Sequence, residues 1–286
     1  MKKRLYLIPF LLVLLILSFL PDGLNVQNEP ELAEGQMRVS YIDVGQGDSA
    51  FIEFPEGKTA LIDAGEAFAA EAVIQLIEDY GYDTIDYIIC THPHSDHIGG
   101  MSEVIQNFQI GAIYMPKVSH SSKTFETLLL TIQEKGLGIH TAKAGVSVSV
   151  SPEITMEFLG PCSEYYEEMN DYSAVVKICY GENAFLFTGD AEVLAEQEIL
   201  AGGCDIRADV LKVGHHGSVT STCKEFLQAV SPRFAVISSG AGNDYGHPHR
   251  ETLSKLKRMD IAVLRTDQKG TITFMADGNS VWEVNQ

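Results

Sequence analysis

Three imidazoles and one carboxylate lie within six residues in the segment 91–97 (THPHSDH), directly after an apolar run. Histidine accounts for nine of the 286 residues, so this grouping does not follow from composition. Imidazole is the most common ligand for zinc-like ions, and a carboxylate suits a second, harder cation. The segment therefore predicts a metal site at a strand end. His92 and His94 are expected on one side of a pocket, and Asp96 and His97 on the other.

Three further strand-like runs end in polar turns that contain glycine. The first ends at Asp190, a candidate bridging carboxylate that could instead cap the following helix. The second ends at His215 and His216, of which one is predicted to bind an ion, because adjacent side chains seldom share one. The third is followed by His247 and His249, and His249 is equally consistent with a surface position. Together these strand ends predict a pocket at one edge of a sheet.

The elements that must position these residues alternate along the chain from Met37 onward. Strands are predicted at 38–44, 50–54, 59–63, 85–90, 154–159, 174–180, 184–187, 209–213, 234–238, 261–264 and 271–274. Helices are predicted at 67–80 and near 122–135, 191–201, 222–229 and 250–258. Helices interleaved with strands favour layered α/β packing. A hairpin turn at 181–183 indicates that the sheets are mixed.

Composition limits the possible functions. The chain is 45% hydrophobic and 21% charged, which excludes a disordered protein and a disulfide mini-protein. Its net charge of −19 excludes binding of nucleic acid or an anionic membrane through overall charge. Residues 37–206 carry 7 basic and 27 acidic side chains, whereas residues 207–286 carry 10 and 8. The later basic residues form either a patch beside the late motifs or ordinary solvated helix faces.

The N-terminal segment has the layout of an export signal. Lys2, Lys3 and Arg4 precede an uncharged apolar run to Leu20. Residues 1–23 therefore predict a cleaved signal peptide or an uncleaved membrane anchor. Residues 24–36 are predicted to be a flexible linker, and residues 37–286 a folded domain. Because the positive end stays in the cytoplasm, we expect an extracytoplasmic domain, secreted or anchored to the outer face of the membrane.

These motifs resemble those of the metallo-β-lactamase superfamily, namely H-x-H-x-D-H at 92–97 and T-G-D at 188–190. The segments 43–49 (DVGQGDS), 212–218 (KVGHHGS) and 245–248 (YGHP) more closely resemble the hydrolase domain of ComEC-type competence proteins and their free-standing relatives. The resemblance covers about residues 37–286. It implies an α/β fold, the αββα sandwich of two mixed β-sheets flanked by helices, with a dinuclear site at the sheet edge.

The resemblance also implies roles for individual residues. The implied metal ligands are His92, His94, Asp96, His97, Asp190 and either His215 or His216. They would hold two divalent ions, with zinc favoured and manganese compatible. The residues expected to orient the ligands from behind are Asp63 and Asp43, and a buried capping role is the alternative for Asp63. A ligand histidine found in many superfamily members is replaced here by the segment 170–173. The expected substrate contacts are Asn170, Ser173, Lys212 and Ser218.

The implied chemistry is attack of a metal-activated water on phosphorus or on a carbonyl carbon. Asp96 would hold an ion, and His247 would contact a substrate oxygen or protonate the leaving group. The resemblance points to an exported phosphodiesterase or nuclease for which DNA is an expected substrate, with no protein partner evident. Two alternatives remain open: a hydrolase of small esters (a phosphocholine ester, a cyclic nucleotide or a lactam), and a non-catalytic metal-binding protein. The intact set of ligands argues against the second alternative.

Overall fold

The computed structural model describes residues 32–284, in which fifteen strands alternate with eight α-helices. The strands are β1 (Met37–Tyr41), β2 (Ala50–Glu53), β3 (Thr59–Ile62), β4 (Thr84–Ile89), β5 (Gln109–Met115), β6 (Ile139–Thr141), β7 (Ser147–Ser151), β8 (Ile154–Phe158), β9 (Val176–Tyr180), β10 (Asn183–Phe187), β11 (Val210–Lys212), β12 (Phe234–Ile237), β13 (Ala262–Arg265), β14 (Ile272–Ala276) and β15 (Val281–Glu283). The helices are α1 (Ala70–Asp79), α2 (Ser95–Ile98), α3 (Met101–Asn107), α4 (Lys123–Glu134), α5 (Val193–Ala201), α6 (Lys224–Val230), α7 (Arg250–Arg258) and α8 (Thr266–Lys269).

The strands form two mixed sheets. The first has the order β15-β14-β1-β2-β3-β4-β5-β6, and the second has the order β13-β12-β11-β10-β9-β8-β7. Strands β3 to β6 are parallel in the first sheet, and β10 to β13 are parallel in the second. The polar motifs follow the carboxyl ends of these parallel strands, the usual place for a site in an α/β fold.

Strand β10 shows how the layers form. All five of its residues are buried, and alternate residues of a strand point to opposite faces of the sheet. Phe187 packs between the two sheets, where its ring stacks on Tyr41 with centroids 5.6 Å apart. Leu186 faces the other way and packs with Ile199 of α5 and Phe226 of α6. Burial of each such apolar side chain contributes about 1.5–3 kcal/mol.

Helices cover the outer face of the first sheet in the same way. Val73 and Ile77 of α1 are four residues apart, so they lie on one helix face. They pack with Ile105 of α3 and Leu128 of α4 against the sheet. Helices therefore flank both sheets, and the predicted αββα sandwich is confirmed.

Strands β5, β6, β7 and β15 were not predicted from the sequence. All three residues of β6 are exposed at the edge of the first sheet, and β7 (SVSVS) is an edge strand of the second sheet with one buried residue. Strands at sheet edges bury few side chains, so their sequences carry little apolar patterning. Three of the missed strands, β6, β7 and β15, lie at sheet edges, whereas β5 lies between β4 and β6 and precedes the loop that carries His120.

The predicted segment 1–23 and most of the predicted linker 24–36 lie outside the described residues. The compact unit that contains both sheets begins at Leu32, a few residues before the predicted domain start at Met37. The residues just before β1 contact the domain, since the Tyr180 hydroxyl donates a hydrogen bond to the carbonyl of Gly35 at 2.7 Å. Within residues 32–284, no helix has the length and apolar character needed to span a membrane.

Candidate metal centre

The loop after β4, residues 91–97, is held from behind by Asp63 at the end of β3. The Asp63 carboxylate accepts hydrogen bonds from the backbone N–H and the hydroxyl of Thr91, at 2.8 and 2.6 Å. It also lies 2.8 Å from Nδ1 of His97. An imidazole that is fixed by a carboxylate at Nδ1 presents Nε2 in a defined direction, as metal-ligating histidines do. The structure thus gives Asp63 the contacts expected of a residue that orients a ligand.

Four side chains converge where the loops after β4, β10 and β11 meet. We name this group the carboxylate-rich cluster, and its members are Asp96, His97, Asp190 and His216. One ligand atom of each lies within 4.8 Å of the others. Nε2 of His97 lies 3.2 Å from Oδ1 of Asp190. Nε2 of His216 lies 3.1 Å from Oδ2 of Asp96.

The chemistry of this cluster fits a divalent cation. Nε2 of His97 and Oδ1 of Asp190 are buried and face each other at 3.2 Å without hydrogen-bond geometry, and neither has a hydrogen-bond partner in the part of the chain that the structure describes. Buried polar atoms without partners are rare in folded proteins. A cation would satisfy both atoms and balance the two carboxylates, and imidazole with carboxylate is a donor set that zinc-like ions accept.

His216 is held from behind by a second carboxylate. Its Nδ1 lies 3.1 Å from the carbonyl oxygen of Ser238 and 3.2 Å from Oδ1 of Asp48. Burial disfavours a charged imidazole, but the carboxylates of Asp190 and Asp48 outweigh it and raise the pKa of His216 to about 10. The surrounding carboxylates therefore give this part of the centre a strong preference for positive charge.

Three imidazoles surround the other side of Asp190. We name this group the imidazole cluster, and its members are His92, His94 and His215. Nε2 of His92 lies 2.9 Å from Nδ1 of His94 and 3.9 Å from Oδ2 of Asp190. Nδ1 of His92 faces the Ser173 hydroxyl at 3.4 Å. Burial lowers the pKa of both His92 and His94. They are therefore neutral near pH 7, the form that binds metal ions.

The turn after β11 directs two adjacent imidazoles at one carboxylate. His215 and His216 have φ values of 48° and 52°, a left-handed conformation that is uncommon for residues other than glycine. Their Nε2 atoms lie 3.6 and 3.5 Å from Oδ2 of Asp190. Nδ1 of His215 lies 3.2 Å from Glu192. His216 is therefore a member of the carboxylate-rich cluster. His215 lies at the edge of that cluster and belongs to the imidazole cluster.

Both clusters open into a cleft of about 380 Å³. Besides cluster members, the residues that line it are Gln46, Ser95, His120, Ser122, Asn170, Tyr245 and His247. Nδ1 of His247 is buried and has no hydrogen-bond partner among residues 32–284. Burial, together with the neighbouring imidazoles, lowers the pKa of His247 to about 4. The predicted catalytic histidine thus lies in the cleft as a neutral imidazole at pH 7.

Within the described chain, no lysine or arginine lines this cleft. Lys212 is buried and pairs with Asp48 at 2.7 Å. The ammonium group of Lys255 donates to the carbonyl of Thr222, and Arg265 pairs with a neighbouring carboxylate. The basic residues of 207–286 therefore do not form a patch inside the cleft.

The four residues predicted to contact substrate have different positions. Asn170 lines the cleft. Ser173 is buried, and its hydroxyl accepts a hydrogen bond from the backbone N–H of Asp190 at 3.0 Å, so it holds the backbone of Asp190 in place. Ser218 and Lys212 are also buried, and neither lines the cleft. Asn170 is thus the member of this set that the structure brings to the open cavity.

The two aspartates of the segment 43–49 have different environments. Asp43, predicted to orient a ligand, is exposed and accepts a hydrogen bond from the backbone N–H of Gly45 at 3.1 Å, outside the centre. Asp48 instead lies behind His216. Gly47 permits this, since a Cβ there would lie 2.3 Å from the carbonyl oxygen of Asp96. The segment 43–49 therefore contains the carboxylate that supports the centre, but residue spacing alone does not show that this carboxylate is Asp48 rather than Asp43.

Five residues that line the cleft were not predicted as site residues, namely Gln46, Ser95, His120, Ser122 and Tyr245. The ring centroid of His120 lies 5.9 Å from that of His94. His120 precedes α4 in a loop that lacks the strand-end pattern of the other motifs. Gln46 accepts a hydrogen bond from the backbone N–H of Gly240 at 3.1 Å, which joins loops from the two sheets. Such a contact between distant segments carries no local sequence signal.

The αββα fold and the imidazoles and carboxylates gathered at its strand ends are typical of metal-binding hydrolase families. Residues 42–241 match the family described as the metallo-beta-lactamase superfamily. The chain therefore belongs to this superfamily, as the motifs predicted.

The chain is also similar to competence proteins. It is 34% identical to the ComE operon protein 3 of Bacillus subtilis, over 85% of this chain and 33% of that protein. It is 29% identical to the Competence protein ComA of Neisseria gonorrhoeae, over 91% of this chain and 37% of that protein. The chain thus spans about a third of the length of these curated relatives. The predicted resemblance to competence proteins is confirmed.

A solved structure supports the fold. CmlA, a diiron beta-hydroxylase from Streptomyces venezuelae, matches with a TM-score of 0.57 and 14% identity. The match covers 86% of this chain and 55% of CmlA. At this identity the similarity establishes the shared architecture alone.

Proposed function

We propose that this chain is an exported, metal-dependent hydrolase of phosphodiester bonds. The observation that carries the proposal is the position of Asp190 between the carboxylate-rich cluster and the imidazole cluster. Its Oδ1 faces His97 at 3.2 Å, and its Oδ2 lies between His215 at 3.6 Å and His216 at 3.5 Å. A carboxylate between two groups of ligands is the arrangement expected of a dinuclear centre.

The donor set fits two divalent ions, one for each cluster. Asp190 would contribute to both, and the remaining members of each cluster would complete its set. The mixture of imidazole and carboxylate suits zinc, and manganese is compatible. When bound, such ions lower the pKa of a water molecule toward neutrality and stabilise negative charge on phosphoryl oxygens.

Two cleft residues would act on the substrate directly. His247 has an unpartnered Nδ1, and its ring centroid lies 5.4 Å from that of His215. From there the neutral imidazole would hydrogen-bond to a substrate oxygen, because a pKa of about 4 leaves it without a proton to give to a leaving group at pH 7. Asn170 has an unpartnered buried Oδ1 and would add a further polar contact. Asp96 would act as a ligand, and its carboxylate also holds Nε2 of His216.

The choice of bond is supported by the competence relatives. One of them is named a competence protein, and the sequence motifs resemble those of the hydrolase domain of ComEC-type competence proteins, so we propose DNA or another phosphodiester as substrate. The matched region is about a third of each relative. The similarity therefore supports a shared catalytic domain rather than the activity of the whole relative.

We also propose that the domain acts outside the cytoplasm, secreted or anchored to the outer face of the membrane. The support is the basic start at Lys2, Lys3 and Arg4 followed by the apolar run, in a segment outside the described residues. An alkaline phosphatase reporter fused after residue 36 should be active only on export. A reporter that stays inactive would refute this location.

The hydrolase proposal is tested on the full-length chain loaded with zinc or manganese. We expect about two ions per chain and metal-dependent cleavage of bis-p-nitrophenyl phosphate. Asp96→Ala should abolish cleavage, and Asp43→Ala should retain it because Asp43 lies outside the centre. Plasmid cleavage in the same assay would identify a nuclease. Two bound ions without phosphodiester cleavage would redirect the search to small esters, and a chain that binds no metal would contradict the proposal.

A further inference from the structure

Tyr245 is an exposed aromatic residue at the rim of the metal cleft. Its side chain is 68% exposed, yet it lines the same cleft as the two clusters. Its ring stacks on His247, with centroids 5.7 Å apart and planes 19° apart. The ring of His247 in turn lies beside that of His215, which faces Asp190. A column of rings therefore leads from the rim of the cleft to the metal centre.

The loop that carries Tyr245 is fixed in place by Asn243. The Asn243 Oδ1 accepts hydrogen bonds from the backbone N–H groups of Tyr245 and His247, at 3.2 and 3.0 Å. Its Nδ2 donates to the carbonyls of Gly240 and His247, at 2.8 and 2.6 Å. The exposed ring is therefore held ready for a ligand, and binding would require little further ordering of this loop.

The charges around the cleft favour recognition of a base over recognition of a phosphate backbone. The chain has a net charge of −19, and none of the described residues that line the cleft is a lysine or an arginine. Apart from bound cations and the imidazole of His216, which already faces the carboxylates of Asp96 and Asp190, a polyanionic strand would find no positive partner there. Stacking of a nucleobase on an aromatic ring needs no protein charge and accepts any base.

We propose that Tyr245 is the stacking platform for an unpaired nucleobase of the substrate, adjacent to the phosphodiester held at the metal centre. The inference rests on the proposed phosphodiesterase function and narrows its substrate to single-stranded nucleic acid. Bases inside a duplex are already stacked and paired, so a duplex must be opened before it can offer a free base to Tyr245.

The first test measures stacking without catalysis. The probe is a single-stranded methylphosphonate oligonucleotide that contains 2-aminopurine, which is uncharged and carries no phosphodiester to cleave. Binding to the full-length chain should quench the 2-aminopurine fluorescence. Tyr245→Ala should weaken binding by about 5-fold to 100-fold and abolish quenching, whereas Tyr245→Phe should behave as the wild type.

A matched control tests whether probe binding depends on Tyr245 itself or on any exposed aromatic ring. Tyr165 is 76% exposed and does not line the cleft, so Tyr165→Ala should bind the probe like the wild type. A probe with abasic positions throughout should bind weakly to the wild type and to Tyr245→Ala alike. Equal binding of the 2-aminopurine probe by the wild type and Tyr245→Ala, or no binding by the wild type, would overturn the inference.

The second test separates this inference from the proposed function. With metal bound, Tyr245→Ala should raise KM for a single-stranded phosphodiester oligonucleotide by about 5-fold to 100-fold, with metal content unchanged. A blunt duplex should be a poorer substrate than the single strand for the wild type. If the wild type cleaves no phosphodiester yet binds the 2-aminopurine probe through Tyr245, the proposed phosphodiesterase function is wrong and the stacking role of Tyr245 stands. If cleavage of single strands is unchanged in Tyr245→Ala, the stacking role is wrong and the phosphodiesterase function stands.

Discussion

The carboxylate-rich cluster and the imidazole cluster share Asp190 but have opposite electrostatics. Burial disfavours charge on His97, yet the carboxylates of Asp190, Asp96 and Asp63 raise its pKa well above the usual value. Burial lowers the pKa of His92, five residues earlier in the same loop, and nearby carboxylates do not reverse that shift. The segment 91–97 thus supplies one imidazole with a raised pKa and one with a lowered pKa.

The difference comes from the residues behind the ligands. His97 is backed by Asp63 and His216 by Asp48. Nδ1 of His92, in contrast, faces the hydroxyls of Thr91 and Ser173, at 3.1 and 3.4 Å. Carboxylates behind a ligand raise its basicity and fix its orientation. We therefore expect the carboxylate-rich cluster to bind an ion tightly and the imidazole cluster to bind one more weakly.

Removal of Asp190 should have the largest effect, because both clusters depend on it. Asp190→Ala should reduce the bound metal from about two ions to one or none and lower hydrolysis by at least about 1000-fold. Elemental analysis after dialysis and a phosphodiesterase assay measure the two effects. Circular dichroism serves as the control for folding. Two tightly bound ions in this variant would show that the clusters do not share Asp190.

Removal of His94 should affect one cluster only. In a chelator titration, wild-type protein should release metal in two phases, and His94→Ala should lack the weaker phase, with that ion bound about 100-fold less tightly or worse. The tight phase should persist, because His94 is not a member of the carboxylate-rich cluster. His140→Ala is the matched control, since that exposed imidazole stacks on Tyr114 and does not line the cleft. Loss of both phases in His94→Ala would contradict the comparison.

Most of the fold and the residues of the first motif that converge in the centre could be predicted because their signals are local. Strand β10 is buried throughout, strand β4 ends in the buried residues Ile88 and Ile89, and polar residues follow both at the strand ends. Asp63 could be identified as a residue behind a ligand because it directly follows β3 in this pattern.

The remaining parts of the site depend on contacts between distant segments. Lys212 and Ser218 belong to a recognisable motif, but the turn after β11 directs His215 and His216 to the centre and leaves those two side chains buried. His120 enters the cleft from a loop without a strand-end motif. Which side chain of a motif reaches a cavity depends on backbone φ values and on packing of the other sheet, and neither appears in residue spacing.

Loss of the carboxylate behind His97 should have an intermediate effect. Asp63→Asn keeps the shape of the side chain but removes the charge that faces Nδ1 of His97. We expect the affinity of the tight ion to fall by about 10-fold to 100-fold, while the weak ion is released as in the wild type. Isothermal titration with zinc measures both affinities. An equal loss at both ions would indicate that Asp63 supports the whole loop rather than one ligand.

Substitution of Asp43 should have the smallest effect. Asp43 shares the segment 43–49 with Asp48, but it is exposed and its carboxylate caps the turn at Gly45. Asp43→Ala should change the free energy of unfolding by no more than about 0.5 kcal/mol and leave both metal affinities within about twofold of the wild type. Urea unfolding and the same zinc titration measure these quantities. Asp43 is not one of the carboxylates that face Nδ1 of His216 and of His97, which are Asp48 and Asp63. A tenfold loss of zinc affinity in Asp43→Ala would therefore mean that the tight site also depends on the carboxylate of this surface turn.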